Sequence, residues 1–417
     1  MRLLVAVSGG SDSVGLLIAL KEHATGDLAL MAATVDHGLR SQSVDEARDV
    51  AVLCSRLGIP HTTLDWKGKK PSAGVAAAAR EARYKLLCEA AEEAGADAIL
   101  TGHTLDDQLE TVAMRASRGG GADARGLAGM AEIVLLRSRH WLLRPLLRTR
   151  RENIRNFLRQ HGEVWIDDPS NSDLKNERAR TRKALELRSP VSAAEIDGAG
   201  QRRQDLSQAA ARLLAEHASF DRAALMHLLP HALNAETAIL RYALWACAAV
   251  VGGRDQGPTP DAMQRVMGLV AAGVPGRLTA GRVAFDLRRG GLFLCRESRD
   301  LPVLTVEPAA TAAWDGRFRV INNSKVAVTV EPSTMGRQEA QAVFAHAPSS
   351  IAVRAARSVP AICATQGEDR GVTVAPILAP FDRFLPQFDL QLARTLAELA
   401  GCDNFPPLPM MDYERKR

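Results

Sequence analysis

Apolar and polar positions fall in alternating blocks along the first hundred residues. An apolar run, Leu3 to Val7, gives way to six small or polar residues. Val14, Leu17, Ile18 and Leu20 then recur at helical spacing. The pattern predicts a buried strand over 3–7, a turn, and a helix over 13–23 that ends at Thr25-Gly26-Asp27. Further strands are predicted over 28–35, 61–66 and 98–101. Helices are predicted over 43–57 and 76–94, stopping at Gly58 and Gly95. Strands that alternate with helices imply an α/β fold, a doubly wound parallel sheet with right-handed crossovers.

The pattern changes from about Ser189. Helices are predicted over 201–229 and 236–250, and Pro258-Thr259-Pro260-Asp261 reads as the capped start of a helix to Ala272. Strand-like alternation with glycine turns follows over 275–295, and 314–330 is β-rich. Beyond Pro360 come loops and one helix near 390–399. The chain is thus read as three parts: a catalytic α/β domain over 1–188, a mostly helical accessory domain over 189–300, and a mixed, β-rich region over 301–417.

Composition narrows the function classes. The 417 residues are 46% hydrophobic and 24% charged, ordinary for a globular protein. No apolar run approaches the length of a membrane span. Met1 to Val7 ends in a glycine turn, which makes it a strand and not a signal peptide. Six scattered cysteines, none in a C-x-x-C pair, argue against a disulfide framework, a zinc site or an iron–sulfur cluster, and for a reducing cytoplasm. The net charge of +5 permits a polyanionic partner.

Candidate chemistry collects where the predicted strands end. Ser8-Gly9-Gly10-Ser11-Asp12-Ser13 joins the first strand to the first helix, an arrangement that aims backbone N–H groups and a helix dipole at a phosphate. It lacks both the P-loop spacing and G-x-G-x-x-G. Asp36 and His37 follow the second strand; His103, Asp106 and Asp107 follow the fourth. Ligands of such sheets bind beyond the carboxyl ends of the strands, so these clusters converge on one edge. Asp36 is suited to hold Mg2+ on ATP phosphates or to take a proton, and equally to a plain turn. His103 is suited to phosphate or base contact, or to a structural role. Asp106 and Glu110 share a helix face, and a metal or ammonium cation nearby would relieve their repulsion. A glycine-rich stretch over 116–130 precedes eight arginines, Arg137 to Arg159. A second basic cluster comprises Arg178, Arg180, Arg182 and Lys183. Such density suits a phosphate backbone or, more simply, a solvated helix face.

The hexapeptide Ser8–Ser13 resembles the pyrophosphate loop of the N-type ATP pyrophosphatases. Downstream, Asp36-His37-Gly38-Leu39-Arg40, His103-x-x-Asp106-Asp107-Gln108-x-Glu110-Thr111, Arg118-Gly119, Arg144-Pro145-Leu146-Leu147, Trp165-x-x-Asp168-Pro169-Ser170-Asn171 and Arg178-x-x-x-Arg182 resemble, in order, the motifs of the tRNA(Ile)-lysidine synthetases. The resemblance covers roughly residues 1–185. Farther on, Arg296-Glu297 and Trp314-Asp315-Gly316-Arg317-Phe318 look like segments of some members. The resemblance implies a pyrophosphatase-type α/β domain that uses ATP and Mg2+. Its partners would be a CAU-anticodon isoleucine tRNA and free L-lysine; a homodimer is compatible with it. The wobble cytidine oxygen would attack the α-phosphate of ATP and release pyrophosphate. The lysine ε-amine would then displace AMP. Carried over, Ser8, Gly9, Gly10, Ser11, Asp12, Ser13 and His103 would bind ATP. Asp36 would be the catalytic acidic residue close to the reaction, and it is the candidate Mg2+ ligand. Asp107 and Glu110 would be catalytic and place lysine. Arg144, Arg148, Arg178 and Arg182 would contact tRNA. The competing readings are a tRNA-thiolating enzyme of the same fold, a non-catalytic ATP-binding α/β module, and a small-molecule synthetase or amidotransferase. The missing cysteine pairs count against the first; the acidic cluster and the arginine-rich segment count against the second.

Overall fold

The computed structural model describes residues 1–39, 42–117, 124–167, 177–187, 191–363 and 371–409. The chain divides into two compact units, one built on Met1–Arg203 and one on Gln204–Leu385 with Asp389–Phe405.

In the first unit the order is β1 (Arg2–Ala6), α1 (Ser11–His23), β2 (Ala29–Asp36), α2 (Ser43–Arg56), β3 (His61–Asp65), α3 (Val75–Ala94), β4 (Ala98–Thr101) and α4 (Leu105–Ser117). A short α5 (Ala124–Leu127), β5 (Ile133–Leu136), β6 (His140–Leu143), α6 (Arg151–Gln160), α7 (Glu177–Leu187) and the start of α8 (Ala193–His217) follow. The strands expected from the hydrophobic pattern pair in parallel. Leu3 stands opposite Leu30 on one side and Ala98 on the other, and Ala32 stands opposite His61. β6 extends the sheet in parallel beside β4, and β5 returns antiparallel along β6. The order across these six strands is β5-β6-β4-β1-β2-β3.

The sheet core explains the unbroken apolar runs. A parallel sheet is covered on both faces, so its central strands have no solvent side. Leu4, Ile99, Val134 and Leu142 pack with Leu87 and Cys88 of α3. Across the sheet, α1 meets α6 at Gly15, where a Cβ would overlap Ile154 Cγ2. Glycine at this position lets α6 lie close on α1.

The second unit corrects the long helix expected over 201–229. α8 stops at His217, and β7 (Ala218–Asp221) and β8 (Leu225–Leu228) form a hairpin. Phe220, Leu225, Met226 and Leu228 are buried against the sheet, and Arg222 and Ala223 make the turn with φ of 50° and 51°. Tertiary burial of this apolar set overrides its helix-compatible spacing. α9 (Thr237–Gly252) and α10 (Pro260–Ala272) follow, the latter capped by Thr259, whose side chain accepts from Ala262 N.

β9 (Gly276–Ala280), β10 (Val283–Arg288) and β11 (Gly291–Arg296) complete a five-stranded antiparallel sheet in the order β7-β8-β11-β10-β9. Beyond it lie β12 (Leu304–Val306), β13 (Ala310–Trp314), β14 (Phe318–Asn322), β15 (Val328–Pro332), α11 (Arg337–Val343), α12 (Ser349–Ala356), β16 (Pro360–Cys363), β17 (Val372–Pro376) and α13 (Leu390–Ala400). They include two three-stranded sheets, β12-β15-β16 and β13-β14-β17. The two C-terminal segments singled out in the sequence meet here: Asp315 accepts from Arg296 Nε at 3.0 Å and Arg317 Nε at 2.7 Å, all three side chains being buried.

Candidate active site

A cavity of about 310 Å³ opens at the carboxyl edge of the parallel sheet, lined on one side by Ser8 and Gly10–Ser13 and on the other by His103, Asp107, Arg178 and Arg182. The first wall is the loop between β1 and α1. Gly9 takes φ +83°, a left-handed conformation that glycine adopts without strain, and a Cβ there would come within 2.6 Å of Ile166 Cδ1. Ile166 N in turn donates to Gly9 O at 2.9 Å. Ser13 pins the turn: its hydroxyl accepts from Ser8 N at 3.1 Å and donates to Gly10 O at 3.0 Å. The first turn of α1 thus presents its N-terminus toward the cavity, as an anion site requires.

The opposite wall is held by α4. Thr104 precedes the helix, and its N–H and hydroxyl both donate to Asp107 Oδ2, at 2.8 and 3.0 Å. This fixes Asp107 by a cap of the S/T-x-x-acid kind. Asp107 Oδ1 accepts from Arg178 at 2.8 Å and Arg151 at 3.1 Å. Glu110, one turn on, is buried; Arg178 Nε donates to its Oε2 at 2.6 Å and Arg182 Nε to its Oε1 at 2.7 Å. Arg151 also pairs with Asp12 Oδ2 at 2.8 Å and stands 3.8 Å from Glu110. The cations that relieve the acidic cluster are therefore arginines of the chain itself. Asp106 turns elsewhere and accepts from Arg151 N at 2.8 Å, at the start of α6.

Burial acts first on each titrating group. It works to raise Asp107, but Arg178, Arg151 and the Thr104 N–H outweigh it and hold the carboxyl low. At Asp12 burial wins and the carboxyl is raised despite Arg151. Burial, with Arg144 beside it, pulls His103 down to about 3, so its imidazole is neutral at physiological pH. His103 Nδ1 lies 2.9 Å from the Thr101 hydroxyl.

The cavity gathers Ser8, Gly10, Ser11, Asp12, Ser13, His103, Asp107, Arg178 and Arg182 of the expected set. Gly9 sits behind the loop under Ile166, and Glu110 is sealed behind its arginines. Asp36 ends β2 one residue past Val35, which lines the cavity; its Oδ1 accepts from Gly38 N at 2.8 Å. Arg148 is surface-exposed, 3.3 Å from Glu132.

Arg144 requires a correction. It is only 1% exposed and donates to Ala131 O at 2.6 Å, so an RNA backbone has no access to it; it braces the sheet edge instead. Other lining residues were not among the expected site residues, and they include Arg83, Arg151, Arg155, Ile166 and Asp167. The i, i+4 spacing of Arg151 and Arg155 on one face of α6 was the available signal. Arg155 donates to Asp167 Oδ1 at 2.8 Å, and its guanidinium stands 5.7 Å from the Trp165 ring centroid. The motif residues Arg40, Arg118, Gly119 and Asp168 to Asn171, and the centre of the glycine-rich stretch, lie outside the described residues.

Residues 1–188 match the family described as a PP-loop domain, ATP_bind_3. A tRNA(Ile)-lysidine synthase of Rhizobium meliloti (strain 1021) is 43% identical to the chain, the match covering 99% of this chain and 94% of the relative. The enzyme of the same name from Mesorhizobium japonicum is 41% identical over 98% of this chain and 94% of its own. That from Brucella canis is 35% identical over 96% and 94%. The loop, the paired carboxylates and the arginines thus stand in a chain that aligns with these enzymes almost from end to end, and the chain belongs to the tRNA(Ile)-lysidine synthase family.

Proposed function

We propose that this site joins lysine to C2 of the wobble cytidine in a CAU-anticodon isoleucine tRNA, at the expense of ATP. The observation that carries the reading is the pairing, across one cavity, of an anion-binding helix start (Ser8–Ser13) with a wall that carries Asp107, backed by the buried Glu110. One wall suits a triphosphate and the other an ammonium group.

In the first step the cytidine O2 attacks the α-phosphorus and the bond to pyrophosphate breaks. Backbone N–H groups at the start of α1, with Arg151 and Arg155 above them, stabilise charge on the phosphate oxygens. In the second step the lysine ε-amine, having shed a proton, forms the C2–N bond and AMP leaves with the former O2. Asp107 and Glu110 place the amine, and Asp36, next to the cavity, is the candidate acceptor for the proton. Neutral His103 offers a hydrogen bond without adding charge. Arg148, Arg178 and Arg182 are the tRNA-contacting residues retained from the sequence reading. Residues 1–188 serve as the catalytic domain, and 189–300 and 301–417 as accessory parts.

Mg2+ fits this site as a companion of the triphosphate. As the alternative to taking a proton, Asp36 would offer Mg2+ the carboxylate oxygen that Gly38 N does not hold, and Mg2+ on nucleotides takes one or two carboxylates together with phosphate oxygens. Bound there, it would neutralise charge on the leaving pyrophosphate. No helix among the described residues is long and apolar enough to cross a membrane, and the six cysteines are free; both agree with a cytoplasmic enzyme.

The test is pyrophosphate release from ATP and Mg2+, with and without the tRNA transcript and with and without labelled lysine. Release that requires tRNA, with lysine incorporated, is expected. Release without incorporation would transfer the reading to another nucleophile, sulfur first. Independence from tRNA would overturn it.

A further inference from the structure

The carboxylates assigned to lysine are already satisfied by cations of the chain. Asp107 uses Oδ2 for the Thr104 cap and Oδ1 for Arg178 and Arg151; Glu110 uses one oxygen for Arg178 and the other for Arg182. With Asp12, three carboxylates face three guanidiniums, Arg151, Arg178 and Arg182. The set is neutral. No net negative charge is left in the set to hold a further ammonium, and one seated beside a guanidinium would be repelled by it.

One side of these pairs is buried and the other is partly exposed to the cavity. Glu110 is 2% exposed and Asp107 11%, and Asp107 is locked by its cap. Arg178 is 46% exposed and Arg182 30%, and both line the cavity that the phosphate loop faces. Arginine pairs with phosphate bidentately, as it does with carboxylate.

We propose that Arg178 and Arg182 stand in the place of the substrate ammonium, and that a phosphate-bearing ligand draws them off Asp107 and Glu110 before lysine binds. Lysine is then the last substrate to enter, and the two arginines set that order. The inference rests on the reading of Asp107 and Glu110 as the lysine subsite. Phosphates of ATP and of RNA share the required chemistry, and separate arms of one experiment tell them apart.

Equilibrium dialysis with labelled lysine is run on the full chain in four arms: alone, with α,β-methylene-ATP and Mg2+, with the tRNA transcript, and with both. Lysine affinity at least tenfold higher in a phosphate-bearing arm than in the chain alone is expected, and the arm that shows it names the source. The Arg178→Gln/Arg182→Gln variant should bind lysine alone at least tenfold more tightly than the parent, and Arg178→Lys should behave as the parent does. Equal affinity in all four arms of the parent overturns the inference while leaving lysine as substrate. No lysine binding in any arm, with pyrophosphate release intact, overturns the subsite reading beneath it. The parent measurement decides the matter even if the double variant does not fold.

Discussion

Gly15 decides how closely α6 lies on α1, and α6 carries Arg151 and Arg155 over the phosphate loop. In Gly15→Ala the new methyl overlaps Ile154 Cγ2, a β-branched side chain that is itself 5% exposed and packed in place. Restoring ordinary contact at about 3.5–4 Å requires the helices to part by about 1 Å or more. Overpacking of this kind costs about 1–3 kcal/mol, and the better helix propensity of alanine returns about 1 kcal/mol. The net loss is up to about 2 kcal/mol, a fall of at most a few degrees in Tm for a unit of this size. The functional loss should be larger in proportion. A shift near 1 Å in Arg151 and Arg155 loosens their hold on Asp12, Asp107 and Ser11, and misplacement on this scale costs up to about 100-fold in rate. The assay pairs urea unfolding with kcat/KM for ATP in tRNA-dependent pyrophosphate release. A double-mutant cycle supplies the control. Ile154→Ala alone leaves a void and costs about 2–5 kcal/mol. Combined with Gly15→Ala, the added methyl meets that void, and the two changes should couple favourably by about 1–2 kcal/mol with partial recovery of rate. Strict additivity in stability and in rate would refute the reasoning, because it would mean that the two residues do not touch.

Gly9→Ala puts a side chain in the left-handed region and against Ile166. It should lose about 1–2 kcal/mol and raise the KM for ATP at least tenfold; an unchanged KM would show that the loop does not hold the nucleotide. Glu110→Gln leaves Arg182 without its charged partner and Arg178 with Asp107 alone. A loss of about 2–4 kcal/mol in urea unfolding is expected, together with loss of lysine incorporation. Because His103 is lowered in the folded chain, its contribution to stability is complete above its ordinary value near 6.5 and is lost as the pH falls below it. Going from pH 7 to pH 5 should cost about 1–2 kcal/mol that His103→Gln does not show, and the His103 ring should titrate by NMR only below pH 5. An inflection near 6.5 would refute the buried, neutral imidazole. Ser13→Ala removes the hydroxyl that ties Ser8 N to Gly10 O, and a several-fold rise in the KM for ATP without loss of tRNA binding is expected.

The linear order of residues determined the architecture of the first unit. β1, β2 and β4 are short apolar runs bounded by glycine or polar residues, β3 is a polar edge strand bounded by Pro60 and Gly68, and α2 and α3 end at local signals, Gly58 and Gly95. The phosphate loop was legible for the same reason: its function needs small residues with special backbone angles in unbroken succession, as Gly9 shows.

What the sequence left open depends on residues far apart in the chain. Arg151 meets Asp12 across 139 positions and Arg178 meets Glu110 across 68, and no local pattern says that these arginines neutralise carboxylates instead of facing solvent. Arg144 was set among the tRNA-contacting arginines by arginine density and motif resemblance, whereas the fold buries it. The hairpin over Ala218–Leu228 shares its apolar spacing with a helix, and only the sheet it joins selects the strand form. Periodicity is local, and the chain carries it openly. Charge pairing and burial are pairwise and long-range, and folding alone decides them.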